Sequence, residues 1–200
     1  MRILRFTYMH LFLLAGCCVT SAQQREESPL QTVMRVANKV LRETTFKVEL
    51  VHQGEDKGFV FKAVIPPEAS FRDHSYFEWH YANGQMMLAM IQLADASKEA
   101  RYGEFIERYC SATLDTYDSC KLQYEELNGK KVFNYRMFRK AMLDNTSAAA
   151  LPFVERALRS ELPRARFLVD EMANYVQQQQ SRLADGTLCR PEPEERTVWA

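Results

Sequence analysis

Apolar residues return every three or four positions along most of this chain, a spacing that admits little besides helices packed on helices. Val33, Val36, Val40 and Leu41 form the first stripe. Met86, Met87, Met90, Leu93 and Ala94 form the next, in a helix expected over 83–94 and broken at Asp95-Ala96-Ser97. Ser97 is suited to cap the helix that follows, with Glu99 in its first turn and Tyr102, Phe105, Ile106 and Tyr109 on its buried face. Helical spacing resumes around Met137, Ala141 and Met142, and again at Ala150, Val154, Ala157 and Leu158, where Pro152 belongs in a first turn or a kink. A last helix over 164–180 turns Ala165, Leu168, Val169, Met172 and Val176 inward and frays in the glutamines 177–180.

The connections alternate between short turns and longer loops. Residues 115–131 are polar and read as a connection, with room for a helical turn. Residues 46–65 mix β-branched and aromatic side chains ahead of Pro66-Pro67 and suggest a short hairpin or an irregular arm. Residues 181–198 read as a loop around Asp185-Gly186. Seven glycines and seven prolines are too few for a turn-rich strand fold, and no parallel-sheet pattern appears. Five or six paired helices build a bundle, a solenoid or a closed α/α toroid. No fixed repeat register is visible, which places the solenoid below the toroid. Hydrophobic residues at 46% and aromatics at 12% suffice for a packed core. With 26 basic against 26 acidic side chains, no nucleic-acid partner is expected.

Residues 1–22 are an address. Arg2 and Arg5 precede an apolar run too short to span a bilayer, and the segment ends in small residues, as an export signal does. Leu14-Ala15-Gly16-Cys17 resembles the bacterial lipobox, which makes Cys17 a candidate lipidation site. Thr20-Ser21-Ala22 offers a competing cut for ordinary signal peptidase. An exported product is expected, periplasmic or an outer-membrane lipoprotein, with any membrane anchoring by lipid alone. Cys110, Cys120 and Cys189 follow; Cys110 and Cys120 are able to pair, but buried free thiols are the simpler reading. The scattered histidines and lone cysteines predict no metal, and no cofactor is expected.

Three segments carry chemistry. Phe77-Glu78-Trp79-His80-Tyr81-Ala82-Asn83-Gly84 gathers large rings just before a Met-rich helix, a platform for the C–H face of a sugar or ordinary core packing. Met142-Leu143-Asp144-Asn145-Thr146 places a carboxylate where a helix begins, as a functional acid or a helix N-cap. The third runs from Asp185 through Arg190 to Trp199-Ala200.

In this order and spacing the three segments resemble glycoside hydrolase families 88 and 105, the unsaturated glucuronyl and unsaturated rhamnogalacturonyl hydrolases, over about residues 30–200. Trp79-His80-Tyr81-Ala82-Asn83-Gly84 is similar to the family's entry to an inner helix, Leu143-Asp144 to the opening of the next one, and Trp199-Ala200 to the approach to the principal catalytic Asp. The resemblance implies an all-α (α/α)6 barrel of twelve helices. Residues 23–200 would supply about half of it and stop one residue before that Asp, so exposed apolar faces and an inactive fragment are expected. It also implies a substrate, an oligosaccharide left by a polysaccharide lyase with a C4=C5 unsaturated uronic acid at its non-reducing end. Catalysis would be hydration of the enol ether by a carboxyl pair with Asp144 as its second acid. Trp79, Tyr81 and Trp199 would line the sugar subsite, and His80 or Arg190 would meet the uronate carboxylate, since a buried carboxylate needs a charged partner. The alternative is a helical glycan-binding or scaffold lipoprotein without catalysis.

Overall fold

The computed structural model describes residues 27–48, 50–52, 55–56, 70–71, 76–127, 132–159, 161–190 and 197–198. Cys17, Pro66-Pro67 and Trp199 lie outside the described residues, as do the rest of 1–26 and of 191–196. The chain divides into two compact units, 1–32 and 33–200. In the first, Ser28 caps a helix in a way its sequence could have announced. Its backbone N–H donates to Gln31 Oε1 at 2.9 Å and the Gln31 N–H donates back to Ser28 Oγ at 3.3 Å, with Pro29 between them. This is a capping box with proline at the first helical position, and it opens α1 (Pro29–Glu43), which crosses the boundary between the units.

In the second unit the architecture is all-α, with short strands at its margins. β1 (Leu50–His52) pairs antiparallel with β2 (Glu55–Asp56) on one side and with β3 (Ser70–Phe71) on the other. A hairpin therefore exists where the sequence left hairpin or irregular arm open.

α2 (Tyr81–Ser97) runs three residues past the expected end. Ser97 closes α2 instead of capping its successor: its hydroxyl donates to Leu93 O at 2.7 Å and accepts from Glu99 N–H at 3.3 Å. Lys98 takes the left-handed conformation, φ 60°, and its N–H returns to Ala94 O, a cap more often given to glycine. After this two-residue turn, α3 (Ala100–Leu127) continues for 28 residues. The expected polar connection over 115–131 is thus helix as far as Leu127. Thr113, Tyr117, Cys120 and Gln123 are buried along it at spacings of three and four, a stripe that is partly polar and escapes a purely apolar search.

α4 (Tyr135–Arg139) is a single short helix bounded by left-handed Asn134 and Lys140. The helical spacing read through Ala141 and Met142 stops there. A π-helical turn, Asp144–Ala148, leads into α5 (Ala149–Leu158). A 3-10 turn, Pro163–Ala165, leads into α6 (Arg166–Asn174), which ends in a second π-helical turn, Tyr175–Gln179. The expected last helix is therefore three joined pieces of different winding. β4 (Cys189–Arg190) and β5 (Thr197–Val198) then pair antiparallel, so the closing loop contains a small ribbon.

α2 and α5 lie side by side and point the same way. At their starts, the Trp79 indole N–H donates to Asn145 O at 2.7 Å. At their ends, Arg159 grips the Asp95 carboxylate with two bonds, 3.1 and 2.9 Å. α3 returns outside them, since Tyr109 packs on both Phe77 and Phe153. Two inner helices running in parallel with an outer helix between them are the unit of an α/α barrel. Trp79, Tyr102, Tyr109, Phe153 and Met87 are the largest wholly buried side chains. Leu122, Leu158 and Phe167 stay exposed on α3, α5 and α6, at 53%, 77% and 49%.

Cys110, Cys120 and Cys189 are buried free thiols. The Cys110–Cys120 bridge left open by the sequence is excluded by α3 itself. Ten residues of helix separate the two α-carbons by about 15 Å, far beyond disulfide reach.

Candidate active site

The segment before α2 is held by backbone and side chain together. The Trp79 N–H donates to Asn134 Oδ1 at 2.6 Å, and Asn134 is itself buried in the left-handed conformation, φ 59°. The Trp79 ring lies against Phe153 with centroids 5.6 Å apart, and it has no exposed surface. The expectation that Trp79 lines a sugar subsite is corrected: its indole is a core group whose one polar atom is spent on Asn145 O. Glu78 forms an ion pair with Arg136, whose guanidinium also lies 4.8 Å from the centre of the Tyr135 ring.

His80 and Tyr81 sit at the start of α2. His80 Nδ1 accepts from the Ala82 N–H at 3.3 Å and so caps the helix, and its ring stacks on Tyr81 with centroids 4.3 Å apart. That cap orients the imidazole and leaves Nε2 without a hydrogen bond among the described residues. Tyr81 keeps 40% of its surface exposed, so a ligand can reach its ring.

Gly84 explains how closely α2 meets the turn that bears Asp144. A Cβ at this position would lie 1.9 Å from Ala148 O and 2.6 Å from Ala149 Cα. The Ala148 carbonyl would ordinarily bond to the N–H four residues on, but that residue is Pro152, which has none. The two observations fit together: proline frees a carbonyl, and glycine turns its Cα hydrogens toward it.

Asp144 begins the π-helical turn and is half-buried. Its Oδ1 accepts from the N–H of the next residue, Asn145, at 2.6 Å. Leu143 before it already has helical dihedrals, so Asp144 is not the N-cap of the simpler sequence reading. Thr146 and Ser147 return their hydroxyls to Met142 O and Leu143 O, at 2.9 and 2.7 Å, the back-bonding four residues along that accompanies a bend in a helix. π-helical turns inside helices frequently mark functional positions. Asn145 is 8% exposed, and its Oδ1 has no hydrogen-bond partner among the described residues.

Arg190 comes from β4 to the same neighbourhood. Its Nη2 lies 3.6 Å from Met142 Sδ, two residues before Asp144, and the side chain is half-buried. Behind it, Gln180 Nε2 donates to Cys189 O at 2.9 Å and anchors the strand. The fold thus ties the start of α2, the Asp144 turn and β4 to one another through Trp79–Asn145, Gly84–Ala148 and Arg190–Met142. Trp199 is outside the described residues.

Asn83, Asn134, Asn145 and Arg136 carry much of this framework, and none was singled out from the sequence. A buried asparagine leaves no periodic signal, and its partners here lie as many as 66 residues away. Among the described residues no three His, Cys, Asp or Glu side chains gather in a metal-binding group, and no helix is long and apolar enough to cross a membrane.

No individual curated relative matches the chain. The profile of Glycosyl Hydrolase Family 88 matches residues 67–200, well over half of it. That stretch includes all three motif segments and starts later than the resemblance read from about residue 30. The parallel α2 and α5 with α3 outside them suit the α/α barrel of that family. By this match the chain belongs to Glycosyl Hydrolase Family 88.

Proposed function

We propose that this protein hydrolyses oligosaccharides whose non-reducing end is a C4=C5 unsaturated uronic acid, the products of polysaccharide lyases. The observation that carries this reading is the family match over residues 67–200, which takes in His80, Tyr81, Asp144 and Arg190. In the proposed reaction a carboxylic acid gives its proton to C4, and the enol-ether π electrons form the new C–H bond. Water adds to the cation left at C5, stabilised by the ring oxygen, and its proton passes to a carboxylate. The resulting hemiketal opens and releases the saturated remainder. This is general acid–base catalysis, with Asp144 as second acid of the pair.

Tyr81 offers the sugar an exposed aromatic face. Arg190 supplies the fixed positive charge that a desolvated uronate carboxylate requires, and His80 offers its free Nε2. By the family resemblance Trp199 is a further sugar-binding residue of the proposed subsite. Residues 1–22 are the export signal and Cys17 is the lipidation site. The chemistry requires no metal or cofactor.

The test uses protein expressed from its full reading frame and follows loss of the conjugated ultraviolet absorbance of unsaturated uronides. Asp144→Asn is expected to keep the circular dichroism spectrum and to lose about a hundredfold or more in kcat. Unchanged turnover in that variant would return Asp144 to a structural role. Equal binding of saturated and unsaturated oligosaccharides with no turnover would favour a glycan-binding protein.

A further inference from the structure

Trp79 is wholly buried, yet its single donor is aimed at one backbone atom, the carbonyl of the residue that follows Asp144. The same residue, Asn145, gives its N–H to Asp144 Oδ1 at 2.6 Å. One residue is therefore shared, across two successive peptide units: Asn145 takes the indole N–H on its carbonyl and holds the carboxylate on its amide. The ring has little freedom to drift. Its own N–H is fixed by Asn134 Oδ1, and Phe153 of α5 packs on its face.

We infer that Trp79 is a positioning residue, which fixes the Asp144 carboxylate through the Asn145 backbone and so couples the motif before α2 to the acid of the π-helical turn. The inference rests on the proposed role of Asp144 for its catalytic consequence, but the coupling itself can be read without any substrate. A π-helical turn has a neighbouring α-helical winding with every carbonyl one register away. A donor that holds Asn145 O selects between these windings. If the winding changes, Asp144 rotates about the helix axis, and misplacement of a reacting group by about 1 Å costs about a hundredfold in rate.

The experiment replaces Trp79 with 3-benzothienylalanine, which keeps the bicyclic shape and exchanges the N–H for sulfur. Trp79→Phe serves as a second variant and Val40→Ala, a core truncation on α1, as a control for lost stability alone. The Asn145 amide proton resonance reports its bond to Asp144. We expect it to move in both Trp79 variants beyond any movement in Val40→Ala. We expect kcat on an unsaturated uronide to fall about tenfold or more with KM within about twofold, the pattern of a group that acts in the transition state. An Asn145 resonance that stays in place overturns the inference, whatever the activity. A moved resonance with unchanged kcat in an active enzyme overturns the catalytic consequence. If the unmodified protein turns over no unsaturated uronide, the proposed function fails, and the coupling is decided by the resonance alone.

Discussion

An aromatic cluster beside a helix start offers the same letters to an accessible face and to a core, and Trp79 and Tyr81 divide between the two. They are two residues apart, one wholly buried and the other 40% exposed. What separates them is the onset of α2 at Tyr81: the residue before the cap is pulled inward by Asn134 and Asn145, and the first helical residue faces out. Neither asparagine was legible as a partner, because the contacts are 55 and 66 residues apart. The cysteines follow a simpler rule. Burial disfavours the thiolate and pushes both Cys110 and Cys120 up to about 12. At about pH 8 both are expected to resist alkylation in the native protein and to react at the rate of unfolding, read by mass spectrometry across a urea series. Rapid labelling of either without denaturant would contradict their burial.

Between elements, the contact of α2 with the Asp144 turn depends on the absence of one methyl group. Gly84→Ala would put that carbon within 2.6 Å of backbone on Ala148 and Ala149, where no side-chain rotation relieves it. We expect a loss of about 3 kcal/mol or failure to fold, measured by urea unfolding; a stable Gly84→Ala variant would refute the close approach. At the other end of the same helix pair, the Arg159 guanidinium holds the Asp95 carboxyl below its ordinary value of 3.8. A carboxyl depressed in the folded state adds stability above its unfolded value and loses it as pH falls through the folded one. The Tm difference between wild type and Asp95→Asn should therefore be positive near neutrality and close as pH drops below 3.8. A difference that stays constant through that range would show that the pair is not coupled to protonation. α3 shows where periodicity misleads. The stretch from Asp115 reads as a connection with at most a helical turn because Gln123 occupies a buried position that an apolar template leaves blank.

For the molecule as a whole, fold class was legible because helix spacing survives in nearly every segment, and the motif order led to the family whose profile matches 67–200. The pieces that the sequence blurred are those where winding changes: the turns Asp144–Ala148 and Tyr175–Gln179, and the left-handed residues Lys98, Asn134 and Lys140. Two of these depend on distant partners, since Trp79 bonds both Asn134 Oδ1 and Asn145 O. Candidate site residues were legible as letters, and burial then separates them: Tyr81 is accessible and Trp79 is not. The most direct measurement of the whole account is time-resolved proton NMR of an unsaturated uronide disaccharide with the protein expressed from its full reading frame. We predict that the vinyl H4 signal disappears as the saturated sugar is released, that no free uronate retaining the C4=C5 bond builds up, and that Asp144→Asn abolishes both changes. Release of a uronate that still carries its double bond, or undiminished turnover in Asp144→Asn, would contradict it.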